Sequence, residues 1–89
     1  MIESEKLLEK KLRLHVDKLG GLALKWSSSH YIGLPDRIIL LPGGRIMFVE
    51  VKTTKKKPTK RQVLVHNKLR DLGFTVIVLD QSEQLKQIK

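Results

Sequence analysis

Apolar and polar residues alternate along the chain in patterns that predict seven short elements. From Ile2 to Leu19, the residues Leu8, Leu12, Val16 and Leu19 recur at helical spacing on one stripe, which predicts an amphipathic helix. Ser4 before Glu5 suits its start, and Gly20-Gly21 is a firm stop. Leu7 and Leu14 fall on another face that this stripe does not explain. Leu22 to Trp26 reads as a short strand, followed by the polar loop Ser27-Ser28-Ser29-His30. Arg37–Leu41 and Arg45–Thr53 read as two further strands, joined by a tight Pro42-Gly43-Gly44 hairpin. In the third strand Met47, Val49 and Val51 alternate with Ile46, Phe48, Glu50 and Lys52, so both faces are largely apolar and a buried central strand is expected.

Hairpin length sets which side chains meet. A three-residue loop, Pro42 to Gly44 with Gly44 left-handed, pairs Leu41 with Arg45 and therefore Asp36 with Glu50. A two-residue loop sends those carboxylates to opposite faces. Beyond the hairpin, Thr59 is the expected N-cap of a helix from Lys60 to Leu72, with Gly73 as its stop. Gln62, Val65, His66, Leu69 and Leu72 share one face of it, and His66 is expected at the core boundary. Phe74 to Leu79 is a nearly continuous apolar run that suits a strand covered on both sides. Asp80 to Lys89 predicts a short terminal helix docked by Leu85 and Ile88. The order helix, three strands, helix, strand, helix gives an α/β chain (an α+β mixed sheet flanked by helices), with residues 1–89 as a single domain.

Charge narrows the partners. The 89 residues carry 18 Lys and Arg against 9 Asp and Glu, a net charge of +9, which suggests a polyanion. An acidic membrane would also fit, but no amphipathic helix combines a basic face with aromatic anchors. No apolar segment approaches a membrane span and the N-terminus lacks a signal-peptide core, so a cytoplasmic, intracellular location is expected. Without cysteine there are no disulfides or thiolate metal sites, and 3 scattered histidines lack zinc-ligand spacing. A bound metal would be a hard one held by oxygen.

The charged residues at the strand ends are the candidate chemistry. Glu50 and Lys52 close an apolar strand, where charge is costly unless paired or metal-bound. Two carboxylates and a lysine can hold a divalent cation and an attacking water beside a phosphodiester. An isolated Glu-x-Lys is more readily a structural ion pair. The Pro35-Asp36 at the far end of the hairpin moves the reading to the metal pair. Lys55-Lys56-Lys57, just beyond Lys52, are placed for phosphate contacts, as are Lys60, Arg37 and Lys25. The serine loop beside Gly33-Leu34-Pro35 suits phosphate contact or a plain connector equally. Gln62 fits a capping box with Thr59.

Pro35-Asp36 followed by Glu50-Val51-Lys52 resembles the PD-(D/E)xK nuclease signature. More narrowly, Gly33-Leu34-Pro35-Asp36-Arg37, Phe48-Val49-Glu50-Val51-Lys52 and Gln62 resemble the VRR-NUC family in its short, phage-like form, over residues from Glu9 to about Asp80. The resemblance implies a restriction-endonuclease-like core and a metal-dependent DNA endonuclease. Asp36 and Glu50 would hold Mg²⁺ or Mn²⁺ with the carbonyl of Val51, Lys52 would orient the water, and Gln62 would position it or the phosphate. Of the two acids beside the helical stripe, the wheel slightly prefers Glu5, whereas the resemblance selects Glu9 as the catalytic one. It also implies a bacterial or phage-infected host cell, branched DNA such as a Holliday junction, a homodimer and no small-molecule cofactor. The competing expectation is a non-catalytic basic DNA-binding module with a nuclease-like fold.

Overall fold

In the computed structural model, which describes every residue from Met1 to Lys89, Ser4 caps the first helix, α1 (Glu5–Lys18), by accepting from the Leu7 N–H at 3.1 Å. The residues before it are not helical, contrary to the expectation of a start at Ile2. Glu3 ties them down instead: its carboxylate meets Lys11 at 2.8 Å and the Ser82 N–H at 2.7 Å, and its own N–H donates to Thr54 Oγ1 at 2.8 Å. Thr54, buried, also donates to the Asp80 carbonyl at 2.7 Å, so one hydroxyl joins the N-terminus to the ends of two strands.

Four strands form one mixed sheet: β1 (Leu22–Lys25), β2 (Arg37–Leu41), β3 (Arg45–Val51) and β4 (Thr75–Leu79), in that spatial order. The first two pairings are antiparallel, and β3 runs parallel to β4. Leu41 pairs with Arg45 and Arg37 with Val49, the register of the three-residue hairpin loop. Gly43 (φ 82°) and Gly44 (φ 72°) both adopt left-handed backbone in that loop, one more than expected. A parallel pair needs a crossover, and α2 (Lys60–Asp71) supplies it between β3 and β4.

Alternation splits the sheet into two unlike faces. Leu8, Leu12 and Val16 of α1 lie on Ile39, Leu41, Met47, Val49, Val51 and Leu79, and Ile88 closes this core. The terminal element that delivers Ile88 is a 3₁₀ helix, Ser82–Gln87. On the other face α2 packs against β4, and Trp26, Phe48 and Phe74 form an aromatic row with centroids 5.5 and 5.3 Å apart. Here the expectation of a strand buried throughout fails. The row Leu22–Leu40–Ile46 shares a face by register, yet Leu22 is 55% and Ile46 47% exposed, because no helix reaches that end. Leu72, expected on the core face of α2, is also exposed, since it lies beyond the last helical turn as the C-cap.

Candidate active site

The covered end of this second face carries the charged residues. Extending the β2–β3 register by one residue sets Asp36 opposite Glu50, on the same side as Phe48. Asp36 Oδ2 accepts from the Val51 N–H at 2.9 Å, which locks its side chain across the strand ends. Glu50 is 1% exposed. Its Oε2 lies 3.6 Å from Lys52 Nζ and accepts from Gln62 Nε2 at 3.2 Å, whereas its Oε1 is buried without a hydrogen-bond partner. Burial pushes the Glu50 carboxyl up to about 7, and the Asp36 carboxylate opposite adds to the shift against the pull of Lys52.

Gln62 closes its expected capping box and also reaches Glu50. Thr59 accepts from the Gln62 N–H at 3.1 Å and Gln62 Oε1 accepts from the Thr59 N–H at 2.9 Å, completing the capping box. The amide nitrogen is then free to meet Glu50, so the helix start is fixed to the carboxylate by one side chain. Gly33 allows α2 to come this close: its φ is 98°, and a Cβ there would stand 3.0 Å from the Arg61 carbonyl.

His66 lies deeper than its sequence position implied. It is 1% exposed rather than at the boundary, with Nε2 3.8 Å from Glu50 Oε1, and both atoms lack hydrogen-bond partners. Burial depresses its basicity, and the Arg70 and Lys52 cations depress it further, so a neutral ring faces the carboxyl. Its position one turn after Gln62, on the helix face turned to the sheet, is the signal that could have found it.

Other expected residues divide into reachable and engaged. Lys25, Lys55, Lys56, Lys57 and Lys60 are exposed. Lys55 has φ 75° in the turn closed by the Lys56 N–H to the Thr53 carbonyl at 2.9 Å, a left-handed position that glycine usually fills. Arg37 does not fit its expected role as a phosphate contact. It is 7% exposed, donates to the Ala23 carbonyl at 3.2 Å and pairs with Glu9 at 3.6 Å, because β1 and α1 both close over it. Glu9 thus sits on the α1 side of the sheet, but it lines with Asp36, Lys25, Trp26 and Ser27 a cavity of about 380 Å³ at the sheet end. No group of three His, Cys, Asp or Glu side chains converges to metal-binding range, so Asp36 and Glu50 stand as a pair. No helix is long and apolar enough to cross a membrane.

No family model matches the sequence. The chain is 46% identical over 79 residues to a protein of Acyrthosiphon pisum secondary endosymbiont phage 1 described as "Putative nuclease p44", across 89% of this chain and 85% of the relative. It is also similar to a solved structure described as a VRR_NUC domain, with a TM-score of 0.88 and 32% identity over 97% of this chain and 95% of the other.

Proposed function

The chain belongs to the VRR-NUC family, and from that premise we propose that it is a metal-dependent endonuclease that hydrolyses phosphodiester bonds in DNA. The observation that carries the proposal is Glu50: a carboxyl buried opposite another, with one oxygen left unsatisfied. Such a group destabilises a fold and suits a cation that neutralises the pair. A DNA-binding module without catalysis would gain nothing from retaining it.

The donor set fits a hard divalent ion such as Mg²⁺ or Mn²⁺. Asp36 and Glu50 would hold it, with the Val51 carbonyl as a third protein oxygen. When bound, it would supply charge neutralisation at the scissile phosphate and a more acidic water. Lys52, beside Glu50 and 18% exposed, orients the nucleophilic water. Gln62 positions that water or a phosphate oxygen, held in place by its capping box. Glu9 acts across the cavity it shares with Asp36, through solvent. The exposed lysines Lys25, Lys55, Lys56, Lys57 and Lys60 supply affinity for the backbone of DNA.

A site of this size cuts one strand, so two cuts need two copies. The uncovered sheet face supports a homodimer better than Leu7 and Leu14, which are 41% and 48% exposed on α1. Leu22, Leu24 and Ile46 are exposed on one apolar stretch of the sheet, which extends from the site towards the hairpin end and would be buried in a two-fold dimer. A dimer with two such sites suits a four-way junction. The test is the mass by light scattering together with cleavage of a Holliday junction labelled on each strand. Paired cuts by a dimer support the reading, and single cuts by a monomer overturn its junction-resolving part. No cleavage of any DNA with Mg²⁺ or Mn²⁺ overturns the nuclease.

A further inference from the structure

Lys6, Lys10 and Arg13, in the groove between α1 and β1, have no role in the chemistry described above. The groove has a volume of about 670 Å³, and Lys6, Glu9, Lys10, Arg13, Lys25 and Arg37 are among its lining residues. Lys6, Lys10 and Arg13 follow at intervals of four and three residues, so they form one ridge on the flank of the stripe that buries Leu8, Leu12 and Val16. All three are exposed, as is Lys25, and none of the four forms an ion pair. The only acid in the wall, Glu9, is already engaged by Arg37 at 3.6 Å. Leu7 is the one hydrophobic residue in the wall, whose remaining apolar surface comes from the stems of its cationic side chains.

The groove also leads somewhere. The cavity that ends on Asp36 adjoins it, sharing Glu9 and Lys25 as lining residues. On the other side of the carboxylate pair stand Lys52, the lysines from Lys55 to Lys57 and Lys60. Cations therefore flank the pair on both sides, and the groove on the α1 side leads into the cavity that ends on Asp36.

We propose that the α1–β1 groove holds the sugar-phosphate backbone of the cleaved strand on one side of the scissile bond. Lys6, Lys10, Arg13 and Lys25 contact successive phosphates, and the lysines after β3 hold the other side. The partner is a nucleic acid because unpaired cations at regular spacing match a regular polyanion. This assignment deepens the nuclease reading and rests on it.

The test uses the full chain with Lys6→Gln, Lys10→Gln and Arg13→Gln combined. A control combines Lys18→Gln, Lys86→Gln and Lys89→Gln, which removes the same charge from exposed positions elsewhere. Binding to a labelled duplex and a labelled four-way junction is measured in EDTA over a range of salt, with circular dichroism to check folding. Each lost duplex phosphate contact lowers the slope of log K against log salt by about 0.9. The groove variant is expected to lose about two to three units of slope and at least tenfold in affinity at low salt. The control should lose less than one unit. With Mn²⁺, cleavage by the groove variant should show a raised KM and a nearly unchanged kcat. Wild-type slope and affinity in the groove variant would overturn the proposal and leave the nuclease reading intact. Equal losses in both variants, or a loss of dimer mass in place of DNA affinity, would also overturn it. Lost binding in the groove variant of a chain that never cleaves DNA would keep the groove and remove the nuclease. A wild-type chain that binds no DNA removes both.

Discussion

The two faces of the sheet have opposite characters. Against α1, Leu8, Leu12, Val16, Ile39, Val49, Val51 and Leu79 are all fully buried, and the buried charge at their margin, Arg37, is paired with Glu9 and the Ala23 carbonyl although its Nε lacks a partner. Against α2, Glu50 and His66 are as deeply buried, each with an atom lacking a hydrogen bond. The carboxylates repeat the contrast. On the α1 side, Glu3 is drawn down to about 2 by its bonds to Lys11 and the Ser82 N–H. On the α2 side, burial and Asp36 raise Glu50 to about 7. One face holds the chain together, and the other keeps groups that work against folding, which is where chemistry is expected.

The largest stability effect should come from the first face. Leu12→Ala is expected to cost about 2–5 kcal/mol, a large part of what a domain of this size has. Urea denaturation measures it, and a cost below about 1 kcal/mol would remove the division between the faces.

The second face should respond with the opposite sign. Between about pH 4.5 and 7 the folded chain keeps a proton on Glu50 that the unfolded chain has released. Metal-free stability contributed by this group therefore falls as pH rises through that window, and the penalty is complete above it. Glu50→Gln should stabilise the metal-free protein by about 1–3 kcal/mol at pH 8, and by little near pH 4.5. Glu3 has the reverse linkage: its contribution is present above about pH 4.5 and is lost as pH falls towards 2. Urea midpoints from pH 4.5 to 8 check both, and parallel curves for wild type and Glu50→Gln would contradict the strain assigned to Glu50.

The smallest effect on folding should come from the uncovered part of the second face. Leu22→Lys with Leu24→Lys should change monomer stability by about 0.5 kcal/mol or less, since both residues are exposed in the monomer. The mass by light scattering, that of the proposed dimer for wild type, should nevertheless fall to that of one chain. An unchanged dimer would move the interface elsewhere.

How much of this was legible in the sequence follows from the range of each interaction. The hairpin register was, because period-two alternation and a Pro-Gly-Gly turn fix it locally, and with it the opposition of Asp36 and Glu50. The capping box of Gln62 was legible because it is local, and its contact with Glu50 because the helix face points at the sheet. His66 was not, because helical spacing says which face a residue takes but not which strand residue it meets. Arg37 was misread for a related reason: the start of a strand is exposed by default, and only the arrival of β1 and Glu9 buries it. Leu22 and Ile46 look like core in any pattern, and only the short reach of α2 leaves them bare.

The central claim is that Asp36 and Glu50 together make the catalytic metal site. Asp36→Asn tests it most directly, since an asparagine oxygen can still accept from the Val51 N–H and so spare the strand ends. The measurement is the initial rate of DNA cleavage by wild type and variant, each with Mg²⁺, with Mn²⁺ and with EDTA. The expected result is metal-dependent cleavage by wild type and a loss of about a thousandfold or more in a folded variant. Wild-type rates from Asp36→Asn, or equal wild-type rates in EDTA, would contradict it.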